Sequence, residues 1–164
     1  MSDTPEYLLG TNDRELQRLE AQHGVWGDLA SDALDRAGVG PGHAVLDLGA
    51  GPGFVTRDLA ERVGPSGQVT GLDESPVWRA AFEARDYAAP VTFIECTVEA
   101  AELGEDRFDC IFSRWVFSFL GDLDPVLAKL RRALKPGGVL VIQDYNHEGV
   151  SVFPESAGFE AAIR

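Results

Sequence analysis

The clearest chemical signal in the sequence is the run DLGAGPG at residues 47–53, an acid followed by glycines at alternate positions. Glycine permits a sharp turn and lets the backbone approach a ligand closely, because no Cβ stands between them. A short apolar stretch precedes the run and a segment of helical period follows it. The run therefore predicts a strand-to-helix turn that holds a nucleotide-like ligand. A tight turn without a ligand is the alternative, although three alternating glycines exceed what a turn requires.

The acid at the start of this run bears on the choice of ligand. A dinucleotide fingerprint has the form Gly-x-Gly-x-x-Gly, but its last position falls on Phe54 or Thr56 in the two available registers. Asp47 would also place a carboxylate beside a pyrophosphate, which is unfavourable, whereas it would attract an ammonium group. S-adenosylmethionine carries such an ammonium. The run thus favours this compound over NAD, and a nicotinamide-dependent oxidoreductase is the disfavoured alternative.

The elements that must position this run alternate along the chain. Five short apolar runs rich in β-branched or aromatic residues predict strands, and segments of helical period lie between them. Several runs are apolar on consecutive residues, as in strands covered on both faces. The pattern predicts an α/β fold, a Rossmann-like doubly wound sheet of about five parallel strands with helices on both faces and an N-terminal helical extension. The predicted strands are residues 44–48, 68–72, 91–96, 108–113 and 138–145, and the predicted helices between them are residues 54–63, 76–87 and 124–134.

From about Val45 to Tyr145 the sequence resembles the class I methyltransferases that use S-adenosylmethionine, with a type 11 or type 25-like core. The first motif of that family is an acid followed by Gly-x-Gly-x-Gly. The resemblance implies transfer of a methyl group from S-adenosylmethionine to a small-molecule acceptor by in-line displacement, with S-adenosylhomocysteine as the product. A non-catalytic module that binds either compound, or a truncated methyltransferase core, is the alternative.

The resemblance also implies where the cofactor is held. Asp73, at the end of the second predicted strand, would accept hydrogen bonds from the ribose hydroxyls, although it could also cap the next helix. Thr97 and Val98 would contact the adenine, and many family members carry an aspartate where this chain has Thr97. Backbone carbonyls after the fourth strand would meet the methionine ammonium. The implied cofactor-binding residues are Asp47, Gly49, Ala50, Gly51, Asp73, Glu74, Thr97, Val98, Ser113, Arg114 and Trp115.

Candidate catalytic residues follow the fifth predicted strand. Tyr145 and His147 are the nearest groups that could act as a general base if the acceptor must lose a proton. A lone histidine in a loop is more often solvated than catalytic. We expect His23 and His43 to be structural or solvated. Three scattered histidines and two separate cysteines lack any metal-ligand spacing, so the sequence predicts no metal site.

Charge and hydropathy narrow the range of partners. The chain has 164 residues, with 14 Lys and Arg against 27 Asp and Glu, giving a net charge of -13. Such a surface repels phosphate backbones and anionic lipids, so we expect neither nucleic acid nor membrane as a partner. The first residues do not resemble a secretory signal, and no apolar run is long enough to span a bilayer. The sequence predicts a cytoplasmic protein.

The ends of the chain complete the predicted organisation. Residues 12–37 read as two helices that break near Gly24 and Gly27, within an N-terminal helical cap over residues 1–40. Residues 41–145 would form the methyltransferase core, and residues 146–164 read as the opening of an incomplete helix. The family sheet usually has seven strands, so two are missing and the fifth is an exposed edge. We expect a portion of a longer protein, or a short form completed by homodimer formation through that edge.

Overall fold

The computed structural model describes residues 13–145. In this part of the chain a long helix comes first, strands and helices then alternate, and a 3-10 turn over residues 117–119 precedes the last helix. The predicted alternation is confirmed. The helices are α1 (Asp13–Arg36), α2 (Phe54–Val63), α3 (Pro76–Glu83) and α4 (Leu123–Ala133), and the strands are β1 (Ala44–Leu48), β2 (Gln68–Asp73), β3 (Val91–Glu95), β4 (Phe108–Arg114) and β5 (Leu134–Gln143).

The strands form one parallel sheet in the order β3-β2-β1-β4-β5, which confirms the predicted Rossmann-like fold class. From β1 the chain moves outward through β2 and β3 and then crosses back, so that β4 lies on the other side of β1. The strand order reverses at this point. Parallel α/β sheets bind ligands in the crevice that such a reversal opens at the carboxyl ends of the strands.

Two apolar layers cover the sheet. On one face, Leu34 of α1 and Leu59 of α2 belong to a buried cluster that includes Phe112 of β4. On the other face, Leu130 of α4 packs in a second cluster with Ile111. Phe112 and Ile111 are neighbours on one strand and are both fully buried. Burial on both faces explains why the strands are apolar on consecutive residues.

The prediction of two helices over residues 12–37 is wrong, because α1 is a continuous helix of 24 residues. A glycine inside a helix costs about 1 kcal/mol relative to alanine but removes no backbone hydrogen bond. Gly24 and Gly27 therefore weaken the helix without breaking it, and Ala30 and Leu34 hold its second half against the core. Among residues 13–145, no helix combines the length and hydropathy needed to cross a membrane.

The fifth strand was predicted over residues 138–145, but β5 begins at Leu134 and ends at Gln143, so it includes the segment Lys135-Pro136-Gly137-Gly138. Phe108 pairs with Leu134 and Cys110 pairs with Val139, so the segment forms an irregularity in the ladder. Lys135 Nζ lies 2.7 Å from Asp109 Oδ2 and ties this irregularity to β4.

The helix predicted over residues 76–87 is longer than the observed α3, which ends at Glu83. The residues beyond it turn back on the chain. Arg85 donates to the carbonyl of Pro52 at 2.6 Å, and Tyr87 Oη donates to the carbonyl of Phe82 at 2.9 Å. These bonds place both side chains against the turn that follows β1.

Candidate functional site

The crevice at the strand reversal is formed by two chain segments, one after β1 and one at the end of β4. Leu48 and Ser113 are register partners at the ends of these strands, so the segments that follow them are adjacent. Gly49 and Val116 approach so closely that a Cβ on Gly49 would collide with the Val116 side chain. The crevice therefore joins residues 49–53, which we call the glycine loop, to residues 113–116.

The glycine loop has a backbone conformation that residues with a side chain rarely adopt. Gly49, Gly51 and Gly53 have φ angles of 76°, 52° and 84°, all in the left-handed region. A Cβ on Gly53 would lie 2.5 Å from Tyr87 Oη, whereas a Cβ on Gly51 would meet nothing within 4 Å. Gly53 is thus required by packing inside the protein. At Gly51 the missing side chain leaves open space beside the backbone.

The amides of the glycine loop already have partners within the chain. Gly49 N and Ala50 N donate to the carbonyl of Leu72 at 2.8 and 3.0 Å. Gly51 N donates to Asp73 Oδ2 at 2.8 Å. A pyrophosphate is held by backbone amides that point at it. Because these three amides point at β2 instead, the loop suits a ligand without phosphate, and S-adenosylmethionine fits that description.

Asp73 connects the glycine loop to the start of α3. Besides the bond to Gly51, its Oδ1 accepts from Ser75 N at 2.9 Å. Burial raises the pKa of Asp73, the two backbone bonds lower it and the charge of Glu74 raises it, with a net increase. Ser75, not Asp73, is the N-cap of α3, so the predicted cap role of Asp73 is wrong and its carboxylate supports the turn before the helix. A ligand-binding role is compatible with these bonds, because each carboxylate oxygen accepts more than one hydrogen bond. Glu74 itself is exposed to solvent.

Asp47 lies beneath the crevice rather than on its surface. Its side chain is buried, and Oδ2 accepts from Thr56 Oγ1 at 2.6 Å. Burial raises the pKa of Asp47 to about 6, against the lowering effects of the Thr56 hydrogen bond and the charge of Arg114. Asp47 can therefore act on a ligand through its charge, across the glycine loop, and not by direct contact.

The two residues predicted to contact adenine lie after β3, and they differ in environment. Thr97 is exposed, and its Oγ1 accepts from Ala100 N at 3.3 Å. The Val98 side chain is buried in the core under α4, and its carbonyl accepts from Lys129 Nζ at 3.0 Å. A contact between Val98 and a ligand in the crevice would therefore use its backbone amide rather than its side chain.

The carboxyl end of β4 holds polar atoms without partners. Ser113 is fully buried, and neither its Oγ nor Nη1 of Arg114 has a hydrogen-bond partner in the described part of the chain. The Arg114 guanidinium lies 4.8 Å from the centre of the Trp115 ring. Trp115 has a φ of 55°, a strained value for a large residue. Such strain is typical of ligand sites.

His23 makes contacts within the protein that fit the expected structural role. Its Nδ1 lies 3.3 Å from Arg114 Nη2 and its Nε2 lies 3.1 Å from Asp58 Oδ2. Its ring also stacks on Phe54 at 5.6 Å. Since 91 residues separate His23 from Arg114, no local pattern could have paired them.

Three aromatic side chains lie together at the ends of β4 and β5, and we call them the aromatic cluster. Trp26 of α1 meets Trp115 edge to face at 6.2 Å, and Tyr145 stacks on Trp115 at 6.0 Å. Tyr145 is half exposed, so its hydroxyl lies near solvent. The other predicted catalytic residue, His147, lies outside the described residues. The cluster gives the crevice an aromatic wall on its β4 side.

Known proteins are similar to this chain in sequence and in fold. Residues 40–158 match the family described as a methyltransferase domain. The ubiquinone/menaquinone biosynthesis C-methyltransferase UbiE of Pasteurella multocida is 31% identical over 128 residues, covering 76% of this chain and 47% of the relative. The Hahella chejuensis counterpart is 30% identical over 117 residues, covering 69% of this chain and 47% of the relative. The chain thus spans about half the length of these relatives.

Solved structures agree with the sequence comparison. An S-adenosylmethionine-dependent methyltransferase from Mesorhizobium loti is similar with a TM-score of 0.61 and 27% identity, over 70% of this chain and 51% of that one. Phosphoethanolamine N-methyltransferase 2 of Haemonchus contortus, in complex with S-adenosylmethionine, gives 0.66 and 30%, over 83% of this chain and 31% of that one. The chain belongs to the methyltransferase domain family as a class I core whose cofactor is S-adenosylmethionine.

Proposed function

We propose that this chain transfers the methyl group of S-adenosylmethionine to a small-molecule acceptor by in-line displacement. The observation that carries the proposal is the glycine loop, whose amides are turned toward β2 and whose Gly51 is braced by Asp73 at 2.8 Å. This arrangement leaves a carboxylate, rather than phosphate-binding amides, at the carboxyl end of β2. It favours an adenosyl ligand over a dinucleotide.

The proposal gives each part of the crevice a role. The end of β1 would hold the methionine chain, the end of β2 the ribose, the turn after β3 the adenine, and the end of β4 the amino-acid group. The assignments are Asp47, Gly49, Ala50 and Gly51 for methionine, Asp73 and Glu74 for ribose, Thr97 and Val98 for adenine, and Ser113, Arg114 and Trp115 for the amino-acid group.

Methyl transfer requires the protein mainly to align the acceptor with the methyl group. S-adenosylmethionine supplies an electrophilic methyl group when bound. The chain must hold the acceptor in line with that group and keep water away from it. Trp26 and Trp115 would exclude water on the β4 side, and Tyr145 or His147 would take up a proton where the acceptor has one to lose.

A small molecule is the proposed acceptor for two reasons. The net charge of -13 opposes binding to nucleic acid or to an anionic membrane surface. The relatives UbiE are named as C-methyltransferases of ubiquinone and menaquinone biosynthesis. We propose that the acceptor is a small molecule, as in ubiquinone and menaquinone biosynthesis, and that it is methylated in the cytoplasm.

A second candidate function is a module that binds the cofactor or its product without turnover. Its support is the span of the chain, about half the length of its relatives. In this reading the helical cap and core, residues 1–40 and 41–145, would bind the ligand, and partner residues would complete the acceptor site. Among the described residues β5 is the last strand of the sheet, and Val139 and Ile142 on it are more than a third accessible. An edge strand of this kind supports pairing with a second copy.

Labelled methyl transfer separates the two functions. The chain is incubated with S-adenosylmethionine carrying a labelled methyl group and with a small-molecule metabolite extract that includes reduced quinones. Label in a small molecule, lost in the Asp73→Ala variant, supports the enzyme. Binding of S-adenosylhomocysteine without labelled product supports the module.

A further inference from the structure

The glycine loop is held from two sides by residues that flank α3. Gly51 N donates to Asp73 Oδ2 at 2.8 Å, and Asp73 precedes α3 in the chain. The next residue of the loop is Pro52, whose carbonyl accepts from Arg85 Nε at 2.6 Å, and Arg85 follows α3. The segments before and after one helix therefore hold neighbouring residues of the glycine loop.

The Arg85 side chain has a second contact that fixes its direction. Its guanidinium lies 4.0 Å from the centre of the Phe54 ring, and Phe54 is the buried first residue of α2. A cation over an aromatic ring is attracted to it, and the attraction is stronger where water is excluded. Burial lowers the pKa of Arg85, but an arginine stays charged in proteins, so this charge is held partly out of water. The contacts with Pro52 and Phe54 offset the cost of that burial.

The bond from Arg85 acts on the most permissive part of the glycine loop. Pro52 lies between Gly51 and Gly53, whose φ angles are 52° and 84°. Glycine loses more conformational freedom than any other residue when its backbone is fixed. Because the Pro52 carbonyl belongs to the peptide group that leads into Gly53, the bond limits the rotation of that group. Part of the entropy cost of ordering the loop therefore falls on folding rather than on ligand binding.

We propose that Arg85 is a positioning residue for the cofactor site, and that its bond to Pro52 holds the glycine loop in its binding conformation before S-adenosylmethionine arrives. The inference rests on the proposed function and adds to it a residue outside the set assigned to the ligand. Arg85 raises affinity without contacting the ligand, because it reduces the ordering that binding requires. The segment after α3 thereby contributes to cofactor affinity.

Calorimetric titration with S-adenosylhomocysteine tests the inference. Arg85→Met keeps an apolar chain against Phe54 but removes the hydrogen-bond donor and the charge. Its affinity should fall by about 3- to 10-fold, the equivalent of one net hydrogen bond. Arg85→Lys keeps a charged donor that can reach the Pro52 carbonyl, so its affinity should stay within about twofold of the wild type. Recovery in the lysine variant assigns the effect to the hydrogen bond rather than to the volume of the side chain.

Arg79 provides a matched control on the same helix. Its guanidinium lies 5.0 Å from the centre of the Phe93 ring, and it pairs with Glu83 at 3.1 Å and with Glu95 at 2.9 Å. These partners lie in α3 and β3, away from the glycine loop. Arg79→Met therefore removes a similar stacked arginine together with its ion pairs. It should leave the affinity for S-adenosylhomocysteine unchanged.

Hydrogen exchange in the unliganded chain reports on the glycine loop itself. In Arg85→Met the amides of residues 49–53 should exchange faster than in the wild type, and S-adenosylhomocysteine should restore their protection. In Arg79→Met these amides should exchange at the wild-type rate. Urea unfolding of each variant identifies the temperature at which it is fully folded, and both measurements are made there, so that global unfolding contributes to neither.

The outcomes separate this inference from the proposed function. If the wild-type chain does not bind S-adenosylhomocysteine, the proposed function and the inference both fail. If it binds and the folded Arg85→Met variant has the same affinity or the same loop exchange, the inference alone fails, and Arg85 only supports the fold. An equal loss of affinity in Arg79→Met would also overturn the inference, because the effect would then come from α3 as a whole.

Discussion

At the ends of β1 and β2 the polar groups around the crevice have partners within the chain, whereas at the ends of β4 and β5 several buried ones lack a partner. Asp47 accepts from Thr56, and Asp73 accepts from Gly51. Across the crevice, Arg114 Nη1 and Gln143 Oε1 have no partner among the described residues. Among the described residues, the polar groups of the first region are satisfied within the chain and those of the second are not.

This difference separates two kinds of mutational effect. Changes in the glycine loop should lower the free energy of unfolding, because the loop is part of the packed structure. Changes at the end of β4 should lower the free energy of unfolding less, because several groups there have no hydrogen-bond partner among the described residues to lose.

Gly49→Ala should lower the free energy of unfolding by about 2 to 5 kcal/mol. A left-handed backbone costs a non-glycine residue about 1 to 2 kcal/mol, and overpacking against Val116 adds about 1 to 3 kcal/mol. Gly51→Ala is the control. Its Cβ meets open space, so the variant has only the cost of the left-handed backbone and none from overpacking. Urea unfolding measures both. Equal losses in the two variants would contradict the close contact between the glycine loop and Val116.

Asp47→Asn should stabilise the protein at pH 8, by up to about 3 kcal/mol, the equivalent of raising its pKa from 3.8 to about 6. Because the pKa is higher in the folded state, the folded chain takes up a proton between these values. The contribution of Asp47 to the free energy of unfolding of the wild-type chain therefore rises as the pH falls through about 6 toward 4. Asparagine can still accept from Thr56.

The measurement for Asp47 is thermal unfolding of both proteins from pH 4 to pH 8. The gain of the variant should shrink as the pH falls through about 6, and its affinity for S-adenosylmethionine should be lower at pH 8. A gain that is the same at every pH would mean that Asp47 does not titrate in this window.

Asp73→Ala should weaken the binding of S-adenosylhomocysteine by about 1 to 3 kcal/mol, the range for a charged hydrogen bond. The variant also removes the acceptor of Gly51 N and Ser75 N, so it should lower stability as well. Glu74→Ala is the matched control, because that neighbouring carboxylate is exposed. Calorimetric titration measures both variants. Unchanged affinity in Asp73→Ala would show that the ribose lies elsewhere.

Gly24→Ala should raise the free energy of unfolding by about 0.5 to 1 kcal/mol, the smallest effect in this set. Gly24 lies inside α1, and a Cβ there would meet nothing within 4 Å. Gly38→Ala is the control, since its Cβ also meets open space but its φ of 70° disfavours alanine. Urea unfolding should show opposite signs. A destabilised Gly24→Ala variant would indicate a break in α1.

Local patterns in the sequence predicted most of the fold. The bounds of β1 and α2 agree with the prediction, because a buried apolar run, a glycine loop and an amphipathic segment follow one another without ambiguity. The break in α1 was wrong because glycine lowers helix stability by less than tertiary packing adds. The segment after α4 was misread because Pro136 and Gly137 interrupt the ladder without reversing the chain.

The candidate site was less predictable where it depends on contacts between distant residues. The glycine loop and Asp73 could be found because a strand end and a fixed spacing mark them. The pairing of His23 with Arg114, and of Arg114 with Gln143, arises only when α1 and β5 pack on β4. The burial of Asp47 likewise could not be read from its motif, which fixes its place in the chain but not its accessibility.

The most direct test of the central claim is thermal unfolding of the wild-type chain with S-adenosylmethionine, S-adenosylhomocysteine and NADH in parallel. A ligand at about 100 times its dissociation constant adds about 2.7 kcal/mol, which raises the midpoint of a chain this size by about 5 to 10 °C. The account predicts this rise with the two adenosyl ligands and none with NADH. A rise of the midpoint with NADH alone would contradict an adenosyl site at the glycine loop. The same holds if none of the three ligands raises the midpoint.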